Sequence, residues 1–181
     1  MKYIIFNKPY GVMCQFTDHG GRPTLKNYIN EPGVYAVGRL DFDSEGLVLL
    51  TDDGELNHLL SSPKNKQFKT YWVQVEGIPS KEMLNKIISG VVIQKEKTLP
   101  AEVKILPENL NVGERPKPIR FRKNIPTSWL EVRICEGRNH QVKKMTASVG
   151  LPCLRLIRVG IGPVEMGDLK PGEFKYIQSF L

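Results

Sequence analysis

Asp41 is the residue of this 181-residue chain whose setting best suits covalent chemistry. It ends the run Gly38-Arg39-Leu40-Asp41, so an apolar residue and a cation directly precede the carboxylate. A carboxylate that is partly removed from water beside a cation is held in its charged form. Such a carboxylate can act as a nucleophile. The sequence therefore indicates Asp41 as a candidate catalytic residue.

Two predicted strands hold the loop that carries Asp41. Residues 34–37 follow the breaker Pro32-Gly33 and have the pattern of a strand that leads into the loop. Residues 47–50 are four consecutive apolar side chains, which indicates a buried strand that leads out of it. Either Asp52 or Asp53 can then cap a helix. We expect the loop to be fixed at both ends.

Two other interpretations of this loop stay open at the level of sequence. An Asp in a Gly-bounded loop often hydrogen-bonds its own backbone as a turn residue. The loop also matches positions 1, 3, 5, 6 and 12 of a calcium-binding EF-hand, which here are Asp41, Asp43, Glu45, Gly46 and Asp52. An EF-hand needs a helix on each side, whereas both flanks predict strands. The three His residues lack metal-ligand spacing, so we predict no metal site.

Two further segments have patterns that suit a nucleic-acid partner. Residues 69–76 alternate in polarity and predict a strand in which Tyr71 shares one face with Val73 and Val75. Residues 115–123 hold five cations, one aromatic ring and no acid, and two prolines favour an extended backbone. A charge run is often only a solvated loop, but here we predict an arm that contacts phosphate.

The charge of the chain is unevenly distributed. Its formal net charge is +7, yet residues 1–60 contain five Lys or Arg and eight Asp or Glu, against 21 and 11 in the remainder. A basic surface favours a polyanionic partner. The acidic chemistry is therefore expected in the first third of the chain and the phosphate-binding capacity in the rest.

Four blocks, in the same order along the chain, resemble those of the RNA pseudouridine synthases of the RsuA family. They are Asn7-Lys8-Pro9-Tyr10-Gly11, the Asp41 loop continued to Gly54, Lys69-Thr70-Tyr71-Trp72-Val73-Gln74-Val75, and Glu136-Gly137-Arg138-Asn139-His140-Gln141-Val142-Lys143-Lys144-Met145. Ser44 departs from the Thr that the family more often has, but it keeps the hydroxyl. The resemblance spans nearly the whole chain.

The resemblance implies a role for each of several residues. Asp41 corresponds to the nucleophile, Tyr71 to the ring that lies against the target base, and Lys143 to the basic residue that pairs with the Asp. Arg39 is expected to take the place of the flipped base. The remaining candidates for RNA contact are Arg138, Lys144, Lys8, Arg120, Arg122 and Lys123. His140 is interpreted as a structural or RNA-facing residue rather than as a catalytic base.

The expected fold is α+β, the pseudouridine synthase fold. It has a curved, mostly antiparallel mixed sheet with short helices, and two α+β subdomains with the active-site cleft between them. Residues 1–62 are assigned to an N-terminal subdomain that includes the Asp41 loop, and residues 63–181 to a larger catalytic and RNA-binding subdomain, with the boundary within 61–69. No S4-like RNA-binding domain is expected in front of residue 1.

The predicted function is the isomerisation of uridine to pseudouridine in ribosomal RNA, with 23S rRNA favoured by the resemblance. The alternative is a non-catalytic rRNA-binding or ribosome-assembly protein that uses the same basic surface. We expect no cofactor, because the isomerisation needs neither a redox carrier nor an energy donor. The chain shows no signal peptide and no membrane-spanning apolar run, so we expect a cytoplasmic monomer that binds rRNA and no membrane.

Overall fold

A mixed β-sheet with short helices forms the scaffold of the protein. The computed structural model describes residues 1–65 and 67–181. Their strands are β1 (Tyr3–Lys8), β2 (Tyr35–Val37), β3 (Glu45–Thr51), β4 (Lys69–Glu76), β5 (Val92–Ile93), β6 (Glu96–Lys97), β7 (Glu102–Leu106), β8 (Thr127–Ile134), β9 (Cys153–Ile161), β10 (Val164–Glu165) and β11 (Phe174–Tyr176). Their helices are α1 (Gly54–Ser61), α2 (Lys81–Ser89) and α3 (Gln141–Ser148), with a 3₁₀ turn at Leu25–Asn27.

The main sheet has the order β11-β1-β3-β9-β4-β8-β7, with β2 paired to β3 and β10 paired to β9. Its pairs are antiparallel except for β3 with β9, which are parallel at Glu45↔Ile157 and Gly46↔Arg158. The expected α+β class with a mostly antiparallel mixed sheet is confirmed. In the described part of the chain, no helix is both long enough and apolar enough to cross a membrane.

Strand β3 is buried along its whole length, as its uninterrupted apolar run predicted. Leu47 and Leu49 pack into one apolar cluster, while Val48 and Leu50 pack into the larger cluster on the opposite face. The strand is also paired along both edges, with β1 on one side and with β2 and β9 on the other. Packing on both faces and pairing along both edges therefore fix the strand that follows the Asp41 loop.

The helix that we predicted after Asp52 or Asp53 is present as α1. Asp53 caps α1 by accepting a hydrogen bond from the Leu56 amide, and Ser80 caps α2 in the same way. In α3 the stripe of Val142 and Met145 is buried.

The sheet runs without interruption across the predicted subdomain boundary. Strands β1 and β3 come from the first 62 residues, and β9, which pairs with β3, comes from the second segment. Residue 66, within the predicted boundary, lies outside the described residues. The division into two subdomains stays a prediction.

Gly46→Ala is expected to destabilise the protein. Gly46 has φ +106°, and a Cβ atom there would overlap the Arg158 carbonyl oxygen and lie 2.7 Å from the Arg158 amide nitrogen. An L-residue pays a steric cost in this backbone conformation, and the parallel β3–β9 contact would have to open. We expect a loss of unfolding free energy on the order of 3 kcal/mol, measured by urea denaturation.

Gly54→Ala is the matched control. Gly54 begins α1, and a Cβ atom there would meet no atom within 4 Å. Ala is the better helix former, so this variant should be neutral or more stable by up to about 1 kcal/mol. Equal urea midpoints for the two variants would contradict the close β3–β9 approach.

Candidate active site

The Asp41 loop is the hairpin connection between β2 and β3. The Ser44 amide donates to the Asp41 carbonyl oxygen at 3.1 Å, and the Gly11 amide donates to the Phe42 carbonyl oxygen at 2.9 Å. Leu40 is buried, whereas the Asp41 side chain is 34% exposed. The loop thus anchors one apolar side chain in the core and presents the neighbouring carboxylate at the surface of a cavity.

Lys143 reaches the Asp41 carboxylate from helix α3. Its Nζ lies 3.1 Å from Asp41 Oδ2 and 2.7 Å from Asp43 Oδ1. Burial lowers the pKa of Lys143, but the hydrogen bonds to the two carboxylates outweigh it and hold the pKa above its ordinary value. For Asp43, burial raises the pKa, and the bond and charge of Lys143 bring it below normal. The ammonium group is therefore charged at neutral pH and shared between two acids.

His140 is a contact of Asp41 that the sequence did not indicate. Its Nδ1 lies 2.8 Å from Asp41 Oδ2. The residue stands at the N-cap of α3 with a left-handed backbone, φ +52°. His140 lies three residues before Lys143, and residues at i and i+3 lie on the same side of a helix. This spacing is the signal from which the contact could have been predicted.

A cavity of about 980 Å³ opens beside Asp41. Small-molecule sites usually measure about 300–1,000 Å³, so this one has room for a nucleotide and part of its neighbours. Tyr71 of β4 lines it and is 8% exposed. The carboxylate of Asp41, the helix that carries Lys143 and the ring of Tyr71 therefore meet at this cavity. Leu156 and Ile134 also line the cavity and give it an apolar wall beside that ring.

Lys8 has a position that does not fit the RNA contact we predicted. Its side chain is fully buried, and Nζ donates to the carbonyl oxygens of Pro9 and Val12 at 2.9 and 2.8 Å. Burial lowers the pKa of Lys8 to about 8. The ammonium group holds the turn after β1 together and is not available to contact phosphate.

The other predicted cations near the cavity differ in what they bind. Arg39 is exposed on the cavity rim, and its nearest hydrogen-bond acceptor is Gln15 Oε1 at 3.5 Å. Arg138 also lines the cavity, but it donates to the carbonyl oxygens of Ile93 and Glu96, so it holds the β5–β6 hairpin. Lys144 donates to the Asn139 carbonyl oxygen near the start of α3.

Within the basic arm, residues 115–123, the exposed part at residues 120–123 lies far from the cavity, whereas Arg115 stacks on the Tyr10 ring at 4.0 Å, and that ring packs against Phe42 of the Asp41 loop. Arg120, Arg122 and Lys123 are exposed, and Arg122 forms an ion pair with Glu76 at the end of β4. The cavity lies at the opposite end of β4, beside Lys69. Seven residue steps along a strand span about 23 Å, so an RNA that touches both the cavity and residues 120–123 must extend along the sheet.

The EF-hand interpretation does not fit this loop. Strands β2 and β3 flank it instead of helices. Glu45, which would serve as loop position 5, is 4% exposed and accepts two hydrogen bonds from Arg155 at 2.9 and 2.8 Å. Its carboxylate is therefore used in a buried ion pair between β3 and β9.

Two cations of the cavity were missed at the level of sequence. Lys69 of β4 and Arg158 of β9 both line it. Neither stood out from the sequence, because Lys69 begins an ordinary alternating strand and Arg158 is one of two arginines near the end of the chain. Only the pairing of β4 with β9, which sets Tyr71 opposite Arg158, brings them to the cavity.

Known proteins resemble this chain over most of its length. A family model described as RNA pseudouridylate synthase matches residues 2–148. The chain is 53% identical over 177 residues to ribosomal large subunit pseudouridine synthase E of Vibrio parahaemolyticus, covering 98% of this chain and 74% of the relative. It is 52% identical over 174 residues to the protein of the same name from Xanthomonas campestris, covering 95% and 93%.

A solved structure has the same fold. It is described as a pseudouridylate synthase, and it superposes with a TM-score of 0.81 at 32% identity, covering 98% of this chain and 70% of that one. The range matched by the family model, residues 2–148, includes Asp41, Tyr71 and Lys143.

Proposed function

The chain belongs to the RNA pseudouridylate synthase family, and we propose that it converts a uridine of large-subunit ribosomal RNA to pseudouridine with Asp41 as nucleophile. The observation that carries the proposal is the Asp41–Lys143 contact at 3.1 Å on the wall of a nucleotide-sized cavity. The large-subunit relatives support the choice of RNA. As a family member, the protein is an isomerase.

The target uridine has to leave its stack to reach Asp41. Flipping costs a few kcal/mol and is least costly for an unpaired nucleotide. Arg39 lies exposed on the cavity rim, next but one to Asp41, and is positioned to fill the space that the base leaves. Lys144 and the basic arm would offset the cost through phosphate contacts.

The chemistry at the cavity follows from its groups. The charged Asp41 carboxylate attacks the sugar while the bond between C1′ and N1 breaks, a step comparable to the first step of a retaining glycosidase. The Tyr71 ring offers a face on which the detached uracil can stack and turn. Bonding of C5 to C1′ then releases the carboxylate, and the proton of C5 is lost.

All residues of this arrangement come from one chain, so we propose that the protein acts as a monomer. Ribosomal RNA as substrate also implies action in the cytoplasm.

The test is tritium release from 23S rRNA that carries 5-³H-uridine, with no nucleotide added. Because the C5 proton leaves during the reaction, we expect release from 23S rRNA and not from 16S rRNA. Sequencing of the product then identifies the modified position. Tight RNA binding without release from free 23S rRNA or from ribosomal particles would favour the non-catalytic rRNA-binding alternative.

A further inference from the structure

Lys69 and Arg158 form a pair of cations beside Tyr71 in the cavity. Tyr71 lies opposite Arg158 across β4 and β9, and directly opposed residues of antiparallel strands project from the same face. Lys69 precedes Tyr71 by two residues and therefore shares that face as well. All three side chains line the cavity that holds Asp41.

This pair has no acidic partner in the described part of the chain. Arg158 is 3% exposed, its Nε donates to the Leu47 carbonyl oxygen at 2.9 Å, and its buried Nη2 has no hydrogen-bond partner there. Burial lowers the pKa of Lys69, and the charge of Arg158 lowers it further. A buried cation without a partner is costly, as is a buried donor left unbonded.

Three other buried or half-buried cations of the described chain are compensated by partners. Arg155 binds both oxygens of Glu45, and Lys143 binds Asp41 and Asp43. Lys8 donates to backbone carbonyl oxygens. Lys69 and Arg158 differ from these three cations. Their positive charges lie in the cavity wall and remain available to a ligand.

The reaction itself supplies a negative charge at this place. When the N1–C1′ bond breaks, its electron pair stays with the base, and uracil becomes an anion with charge spread over N1, O2 and O4. We propose that Lys69 and Arg158 stabilise this uracil anion and keep it beside Tyr71 until C5 bonds to the sugar. The inference rests on the proposed function.

The electrons of the sequence balance without a further reactant. An Asp41 oxygen donates a pair to the sugar carbon C1′ as the N1 bond breaks. The C5 atom of the turned base then donates a pair to C1′, and the C1′–oxygen pair returns to Asp41. C5 loses its proton and N1 gains one. Fixed charges placed where such charge develops accelerate a reaction because they need no reorganisation.

The test is a single-turnover measurement with an RNA fragment that contains the mapped target uridine or 5-fluorouridine in its place. Lys69→Met and Arg158→Met should each slow loss of uridine by about 10²-fold. Fluorine withdraws electrons and stabilises the base anion by itself. The fold loss in rate that each variant shows should therefore be at least about tenfold smaller on the fluorinated fragment, because less of the barrier depends on the cations.

Lys104→Met is the matched control. Lys104 is an exposed cation of β7 paired with Glu131, outside the cavity, and its loss should leave both rates unchanged. Lys69→Arg should restore most of the rate because it keeps the charge. Arg158→Met loses the bond to Leu47, so Lys69→Met, which has no such bond to lose, decides the question if the Arg158 variant does not fold.

Equal deficits on uridine and 5-fluorouridine would overturn the proposal and would assign the pair to binding of an RNA phosphate or to packing. No deficit for Lys69→Met would overturn it as well. Conversion of the uridine fragment by the unaltered protein is a separate result, and its absence would instead contradict the proposed function.

Discussion

Asp41→Asn is expected to abolish pseudouridine formation while RNA binding persists. The substitution keeps the size of the side chain but removes the charge that attacks the sugar. Loss of a nucleophile should lower single-turnover conversion by at least about 10³-fold. RNA affinity should stay the same or increase, because a negative charge leaves a surface that approaches phosphate. Tritium release and a filter-binding titration on the same rRNA measure the two quantities.

Asp43→Asn is the matched control for this prediction. Asp43 lies in the same loop and also accepts a hydrogen bond from Lys143, at 2.7 Å, but its side chain is more exposed, at 54%. We expect its conversion rate to stay within about tenfold of the unaltered protein, the effect of one charge-assisted hydrogen bond. Full activity of Asp41→Asn would remove Asp41 as nucleophile. Equal losses in both variants would make the acidic loop a structural element only.

The elements around Asp41 were predictable because their signals are local. Four consecutive apolar residues indicated β3, alternation indicated β4, and a capping Asp52 or Asp53 indicated the start of α1. The contact of Asp41 with Lys143, which are 102 residues apart, was predicted from the family resemblance alone. The periodicity of hydrophobic residues predicts the type of an element and its buried face. It does not predict which other element packs against that face.

What escaped prediction depends on tertiary placement. Lys8 was predicted to contact RNA, yet the chain folds around it and supplies three carbonyl oxygens as acceptors. The role of Arg158 depends on the register between β4 and β9, which shifts between Thr70 and Tyr71. Such a shift decides on which face of the sheet a side chain lies, and the hydrophobic periodicity of the sequence does not reveal it.

Lys143→Met should be the second most damaging substitution. Nζ of Lys143 donates to Asp41 and holds the carboxylate toward the cavity. Without it, Asp41 loses a charge-assisted hydrogen bond and an adjacent positive charge. Removal of one preorganised charge of this kind costs about 10²–10³-fold in rate. We expect that loss in single-turnover conversion of 23S rRNA at saturating protein, where weaker RNA binding no longer contributes.

Lys144→Met separates this role from phosphate binding, because it removes the same charge from the next residue of the same helix. Lys144 donates to the Asn139 carbonyl oxygen and does not contact Asp41. Its loss should weaken RNA binding and reduce the salt dependence of affinity by about one counterion, with the saturated rate unchanged. Lys143→Arg should restore much of the saturated rate, since a guanidinium can bind both Asp41 and Asp43. A Lys143→Met variant that loses only affinity would place Lys143 among the RNA contacts and leave Asp41 without its partner.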